Sequence, residues 1–215
     1  MEKQSIAVLG LGQFGRSLAE GLYDLGMDVL VADHDEELIA DFAGKSTVAI
    51  RADLSEEDEI KALGLQSMDM VIVAMSTDLA ASILCVSVAK ELGVPFVMAK
   101  ASTARRASIL RRVGADRIID PEKESGIRTA HVLASPNILE FFDVDENLCL
   151  IEMPVQPDWL GKSLHELDLR RRRGFNVIAV RRAPEAWAFV DPEKPLKEEE
   201  TLLVAMEKKA LRAVQ

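Results

Sequence analysis

The chain has 215 residues, 48% of them hydrophobic, enough for one large and one small domain with buried cores. Its formal net charge of -10 excludes a binder of nucleic acid, because neutralising a phosphate backbone needs a basic surface. Cys85 and Cys149 show no pairing or metal spacing, and no signal region or apolar run of about 18 residues is present, so the chain reads as cytosolic, without membrane insertion.

In chain order, the first two-thirds alternate short β-rich runs with helical patterns. The predicted strands are Ile6 to Leu9, Val29 to Ala32, Val48 to Ile50, Met70 to Ala74, Phe96 to Ala99 and Arg117 to Ile119. Nearly all their residues are apolar, as in parallel strands covered on both faces. Ser55, before Glu56, Glu57 and Asp58, reads as a helix N-cap. Thr77 or Ser76 is expected to cap a helix from Leu79 to Leu92, which Gly93 ends, and Pro121 opens another. Six such units predict a Rossmann-like α/β fold, a doubly wound parallel sheet with helices on both faces.

The rhythm changes after Pro136. A short helical piece is expected from Ile138 to Phe142, then strands at Leu148 to Met153, Asn176 to Val180, Trp187 to Val190 and Thr201 to Ala205, and a helix from Lys208. These elements predict a small α+β domain. The expected division is 1–136 for the nucleotide-binding domain and 137–215 for the second, linker helix included.

Gly10-Leu11-Gly12-Gln13-Phe14-Gly15 follows the first strand and opens a helix. In this pattern the first glycine makes the tight turn, the second admits a pyrophosphate and the third lets helix and strand pack closely. The helix start adds free N–H groups and partial positive charge. Asp33 ends the second strand about 20 residues further on, where a carboxylate accepts bonds from ribose hydroxyls. It favours an unphosphorylated ribose, hence NAD or an adenosine phosphate over NADP. His34, next to Asp35, reads either as a partner for adenine or as an exposed loop residue. Asp53, next to Leu54, reads either as a contact for the purine edge or as part of an ordinary helix start. Met75, Ser76 and Thr77 follow the fourth strand; Lys100, Ala101 and Ser102 follow the fifth, at the carboxyl edge where ligands collect. Lys100 suits a phosphate or a solvated surface equally, and Arg106 shares that ambiguity.

These residues, together with Gly114-Ala115-Asp116-Arg117-Ile118-Ile119-Asp120-Pro121-Glu122-Lys123, resemble the RCK (regulator of potassium conductance) family, in particular the cytosolic subunits of Ktr/Trk potassium transporters. Gly161 to Arg170, followed by Gly174 to Val180, is similar to the C-terminal lobe of that family. The resemblance implies a homo-oligomer, a dimer assembling into an octameric ring, docked on a membrane-embedded potassium pore. The ring would thus be cytoplasmic, peripheral to the inner face of the cell membrane. It implies competing ATP and ADP in the first domain, with NAD also associated, and Mg or Ca near the phosphates held by Glu122. Without the resemblance, Glu122 is simply a first-turn carboxylate favoured by the helix dipole.

Close relatives often carry an arginine reaching the terminal phosphate where this chain has Gln13. Leu164, Arg170, Asn176 and Val177 match positions that bind cyclic di-AMP between two subunits in some relatives; the alternative is a solvated basic run, Arg170 to Arg173. Two rival readings are an NAD-dependent oxidoreductase and a nucleotide or redox sensor of another transporter. The first lacks an acid–base set, since His131 and His165 stand alone in the sequence, so no enzymatic role is expected.

Overall fold

The computed structural model describes residues 3–75 and 77–214. The chain divides into two compact units, Met1–Lys123 and Glu124–Gln215.

In the first unit, β1 (Ser5–Leu9), β2 (Asp28–Asp33), β3 (Val48–Arg51), β4 (Met70–Val73), β5 (Phe96–Lys100) and β6 (Arg117–Ile119) form one parallel sheet in the order β3-β2-β1-β4-β5-β6. This is the expected Rossmann-like order, in which the chain reverses its direction of winding between β1 and β4. Strand residues alternate between two cores, which is why the runs read as continuously apolar. Ile6, Val8, Val29, Val31 and Ile72 pack with Leu18 and Leu22 of α1 (Gln13–Asp24) and with Leu38 and Ile39 of α2 (Glu36–Asp41). Ala7, Leu9, Val71, Val73, Val97 and Ala99 pack with Ile60 of α3 (Glu57–Ala62), with Cys85, Val86 and Ala89 of α4 (Leu79–Glu91), and with Leu110 of α5 (Ala104–Val113).

Two predicted caps are corrected. The N-cap of α3 is Glu56, without a side-chain bond, because the Ser55 hydroxyl donates instead to Asp53 Oδ1 at 2.6 Å. The cap of α4 is Asp78, whose carboxylate accepts from the Ala81 N–H at 3.0 Å, rather than Thr77; Ser76 lies outside the described residues. An aspartate one residue before the helix satisfies the third N–H directly.

The helix that Pro121 opens, α6 (Pro121–Ala134), crosses the division between the units, and Val132 packs on the second core. The second unit is an antiparallel sheet of β7 (Glu140–Asp143), β8 (Leu148–Pro154), β9 (Asn176–Arg182), β10 (Ala188–Phe189) and β11 (Glu200–Glu207), ordered β10-β9-β11-β8-β7. The expected helix at Ile138 to Phe142 is therefore a strand. Ile138 and Phe141 are both buried, a spacing that mimics a helical stripe, but pairing of Glu140 to Asp143 with β8 decides the local conformation. The strand expected from Trp187 to Val190 shrinks to the two residues of β10, and the last residues from Lys208 form a 3-10 helix, Lys208–Ala213.

Two short helices, α7 (Leu164–Leu167) and α8 (Leu169–Arg173), precede β9. Ser163 and Glu166 close α7 with a reciprocal capping box. Among the described residues, no helix is long and apolar enough to cross a membrane.

Candidate functional site

Because β1 and β4 send their following segments to opposite faces of the sheet, a crevice opens beyond their carboxyl ends. A cavity of about 640 Å³ lies there, within the roughly 300–1,000 Å³ range of small-molecule sites. Its floor is the glycine turn. Gly10 has φ +96°, and a Cβ there would stand 3.3 Å from Met75. Gly15 does not line the cavity; a Cβ on it would lie 2.0 Å from the Gly10 carbonyl oxygen, so α1 can approach β1 only with glycine there.

Gly12 differs from both. It is the N-cap of α1 with φ -60°, and a Cβ there would meet nothing within 4 Å. Neither backbone strain nor packing asks for glycine at that position. No side chain caps α1 either, nor α3, whereas Asp35 caps α2, Asp78 caps α4 and Thr103 caps α5. The start of α1 thus offers amide N–H groups and the positive end of a helix dipole to the cavity.

Asp33, the last residue of β2, is 7% exposed. Its Oδ2 accepts from the Leu11 N–H at 2.6 Å, and its Oδ1 accepts from the Asp35 N–H at 3.0 Å. His34 Nδ1 stands 2.9 Å from the same Oδ1, with the imidazole mostly in solvent. Asp53 accepts from both the hydroxyl and the N–H of Ser55, which lower its pKa below the usual carboxylate value. It therefore shapes its own turn, in the manner of an Asx turn, while still lining the cavity beside Leu54.

On the far wall, Lys100 is 8% exposed at the end of β5 and donates to Glu122 Oε1 at 2.5 Å. Its ammonium also lies 5.7 Å from the centre of the Phe14 ring. The lysine bond holds the Glu122 carboxyl below its ordinary pKa, with the backbone N–H of Glu122 helping. A buried ammonium facing a cavity, with a carboxylate partner largely in solvent, can exchange that partner for a phosphate.

Of the residues singled out in the sequence, Gly10, Gly12, Gln13, Phe14, Asp33 and His34 line the cavity. So do Asp35, Asp53, Leu54, Met75, Thr77, Lys100 and Glu122. Ala101, Ser102 and Arg106 do not. Ala101 is buried and continues the sheet through its N–H bond to Ile119, Ser102 leads into the cap of α5, and Arg106 sits in the first turn of that helix. Leu38, Ser55, Ala74, Asp78 and Ala81 line the cavity without having been expected as site residues. Asp78 had a legible signal, an aspartate just before an apolar helical run; the others are ordinary core or turn residues in sequence.

The Gly114 to Asp116 stretch is scaffold. Asp116 accepts from the Val97 N–H at 2.6 Å and from Lys90 Nζ at 2.7 Å, tying α4 and β5 to the start of β6. In the second unit, Leu164, Arg170, Asn176 and Val177 come together in a shallow hollow of about 160 Å³, shared with Asp168, Leu169 and Phe175. His131 stacks on Phe141 at 3.9 Å between centroids, and His165 lies 3.9 Å from Glu193.

Comparison with known proteins places this geometry. The TrkA-N domain family matches residues 6–121, and the TrkA-C domain family matches residues 150–215. Ktr system potassium uptake protein C of Bacillus subtilis (strain 168) is 34% identical over 94% of this chain and 91% of its own length. The chain belongs to the TrkA-N/TrkA-C family of potassium uptake proteins. Ktr system potassium uptake protein A of Vibrio alginolyticus is 37% identical over 85% of this chain and 83% of its own length. Among solved structures, the GsuK channel bound to NAD has the same fold, with a TM-score of 0.68 and 18% identity over 99% of this chain and 39% of that one. The RCK resemblance carried by the glycine turn and the Gly114 to Lys123 stretch is thus that of a TrkA-N/TrkA-C chain, and its structural neighbours are RCK domains.

Proposed function

We propose that the chain is the nucleotide-binding regulatory subunit of a potassium-uptake system, acting by binding rather than turnover. An adenine nucleotide, ATP or ADP with NAD as a further occupant, fills the cavity of the first unit. The single observation carrying this reading is the start of α1, where a glycine required by no protein neighbour and an uncapped helix face a cavity flanked by Asp33 and Lys100. The fold it shares with a GsuK channel bound to NAD supports the same class of ligand.

Each group has a role in this reading. The turn amides and Lys100 hold the phosphates, Asp33 takes ribose hydroxyls, and Gln13 offers an uncharged donor where relatives often have arginine. Among the described residues, no group of three or more His, Cys, Asp or Glu side chains surrounds a metal position. A Mg or Ca ion at Glu122 would therefore take most of its oxygen ligands from the nucleotide phosphates and water. Glu122→Gln is expected to abolish any rise of ATP affinity with Mg or Ca; an unchanged rise would place the cation elsewhere.

The subunit works as a homo-oligomer, a dimer assembling into an octameric ring, at the inner face of the membrane on a potassium pore partner. ATP and ADP shift the ring only insofar as its two states bind them differently, and a coupling of about 1–3 kcal/mol suffices. Cyclic di-AMP is the proposed occupant of the hollow around Arg170 and Asn176, shared between two subunits. The test is potassium flux in proteoliposomes carrying the pore protein that co-purifies with this chain. Flux is expected to rise with ATP over ADP; flux indifferent to nucleotide would contradict the reading.

A further inference from the structure

Two consecutive amides of the glycine turn are held by the end of β2. The Gly10 N–H donates to the Ala32 carbonyl at 2.8 Å, and the Leu11 N–H donates to Asp33 Oδ2 at 2.6 Å. The first bond is backbone to backbone and does not depend on the Asp33 side chain. The second depends on one side chain and joins two residues that are nearly or wholly out of solvent, Leu11 at 0% and Asp33 at 7% exposure. Leu11 lies between the glycine that makes the turn and Gly12, from which α1 starts. The other oxygen of Asp33, Oδ1, meets the Asp35 amide and the imidazole of His34.

We propose that Asp33 is a positioning residue for the phosphate site as well as the acceptor of ribose: through Leu11 it holds the turn in the conformation that aims the α1 amides into the cavity. This rests on the reading of the cavity as a nucleotide site. The two roles divide between the two oxygens, Oδ2 toward the turn and Oδ1 toward the sugar. They also predict effects of opposite sign on a ligand without a sugar. If Asp33 served ribose alone, removing its negative charge would strengthen binding of a bare polyphosphate, by ending a repulsion. If it positions the turn, removing the acceptor leaves the Leu11 N–H buried and unpaired, the turn relaxes, and polyphosphate binding weakens.

The experiment is equilibrium titration of the full chain with inorganic tripolyphosphate and with ATP, for wild type, Asp33→Ala and Asp33→Asn. Asp33→Ala is expected to weaken tripolyphosphate about tenfold, the size of losing one hydrogen bond to a charged acceptor. Asp33→Asn keeps a carbonyl acceptor for Leu11 and loses the charge, so it should bind tripolyphosphate at least as tightly as wild type while binding ATP more weakly. The Leu11 amide proton resonance should move upfield in Asp33→Ala and much less in Asp33→Asn.

Tripolyphosphate bound equally or more tightly by Asp33→Ala, with ATP weakened, would overturn the positioning role and leave the nucleotide site intact. Wild-type protein that binds neither ligand would overturn both. Should Asp33→Ala fail to fold, Asp33→Glu decides, since it keeps the charge and moves the carboxylate off the Leu11 N–H: weaker tripolyphosphate binding supports the positioning role, and unchanged or tighter binding overturns it.

Discussion

The two units make concavities by different means. In the first, the cavity follows from topology, since parallel strands whose connections diverge must leave a crevice at their carboxyl ends. Helix starts line that crevice, and one of them, α1, is left uncapped. In the second, the antiparallel sheet has no such reversal, and its hollow of about 160 Å³ is made locally, by the turn between α7 and α8 and the start of β9. The difference teaches that strand order alone opens the larger pocket, about 640 Å³ against about 160 Å³ for the one built by a loop.

The sharpest way to break this comparison is at the glycines of the first unit. Gly15→Ala places a Cβ against the Gly10 carbonyl and is expected to cost about 3 kcal/mol of stability, read as a fall in thermal midpoint, with nucleotide binding lost. Gly12→Ala, with open space around its new methyl, should change stability by about 1 kcal/mol or less yet still weaken nucleotide binding. Similar losses of stability at both positions would mean that the turn is scaffold throughout.

Lys100→Ala should weaken ATP about tenfold, measured by calorimetry, while Arg170→Ala in the second unit leaves ATP affinity unchanged. A reversed outcome would move the nucleotide to the basic hollow.

A smaller effect concerns the edge of the first sheet. Burial works to raise the Asp116 pKa, but the Lys90 ammonium and the Val97 N–H outweigh it, and the folded value lies below the ordinary 3.8. A carboxylate with a depressed folded pKa contributes stability that is whole above the unfolded value and lost as pH falls through the folded one. Asp116→Asn should therefore destabilise the chain at neutral pH by about 1 kcal/mol, the gap to wild type narrowing as pH falls below 3.8 in acid-unfolding curves.

The least effect is expected at the cysteines, which fall one to each unit. Burial, with a further push from Asp78, raises the Cys85 thiol to about 12, and burial raises Cys149 as well. Neither should react appreciably with a thiol reagent in the native chain, and denaturant should expose each as its own unit opens. Simultaneous exposure across the whole denaturant range would show that the units unfold together.

What could be read from the sequence follows where local and tertiary preferences agree. The strands of the first unit were legible because the central ones are covered on both faces, so nearly every residue in those runs is apolar; the edge runs β3 and β6 are only partly buried, and Arg117 is exposed. The glycine turn, Asp33 and Lys100 were legible because they sit at fixed points relative to those strands. Ser55 misled because an aspartate two residues earlier takes its hydroxyl. The strand β7 was hidden because Ile138 and Phe141 are three apart, a helical spacing whose true cause is pairing with a strand later in the chain. Nor could the sequence reveal that Asp33 bonds to Leu11, since that contact exists only once β1 and β2 lie side by side.

The most direct measurement is calorimetric titration of the full-length chain with ATP, ADP and NAD at near-neutral pH. Saturable binding of at least one of them, at one site per chain and weakened by Gly12→Ala, is the predicted result. No heat of binding from any of the three, with the protein demonstrably folded, would contradict the nucleotide-operated reading.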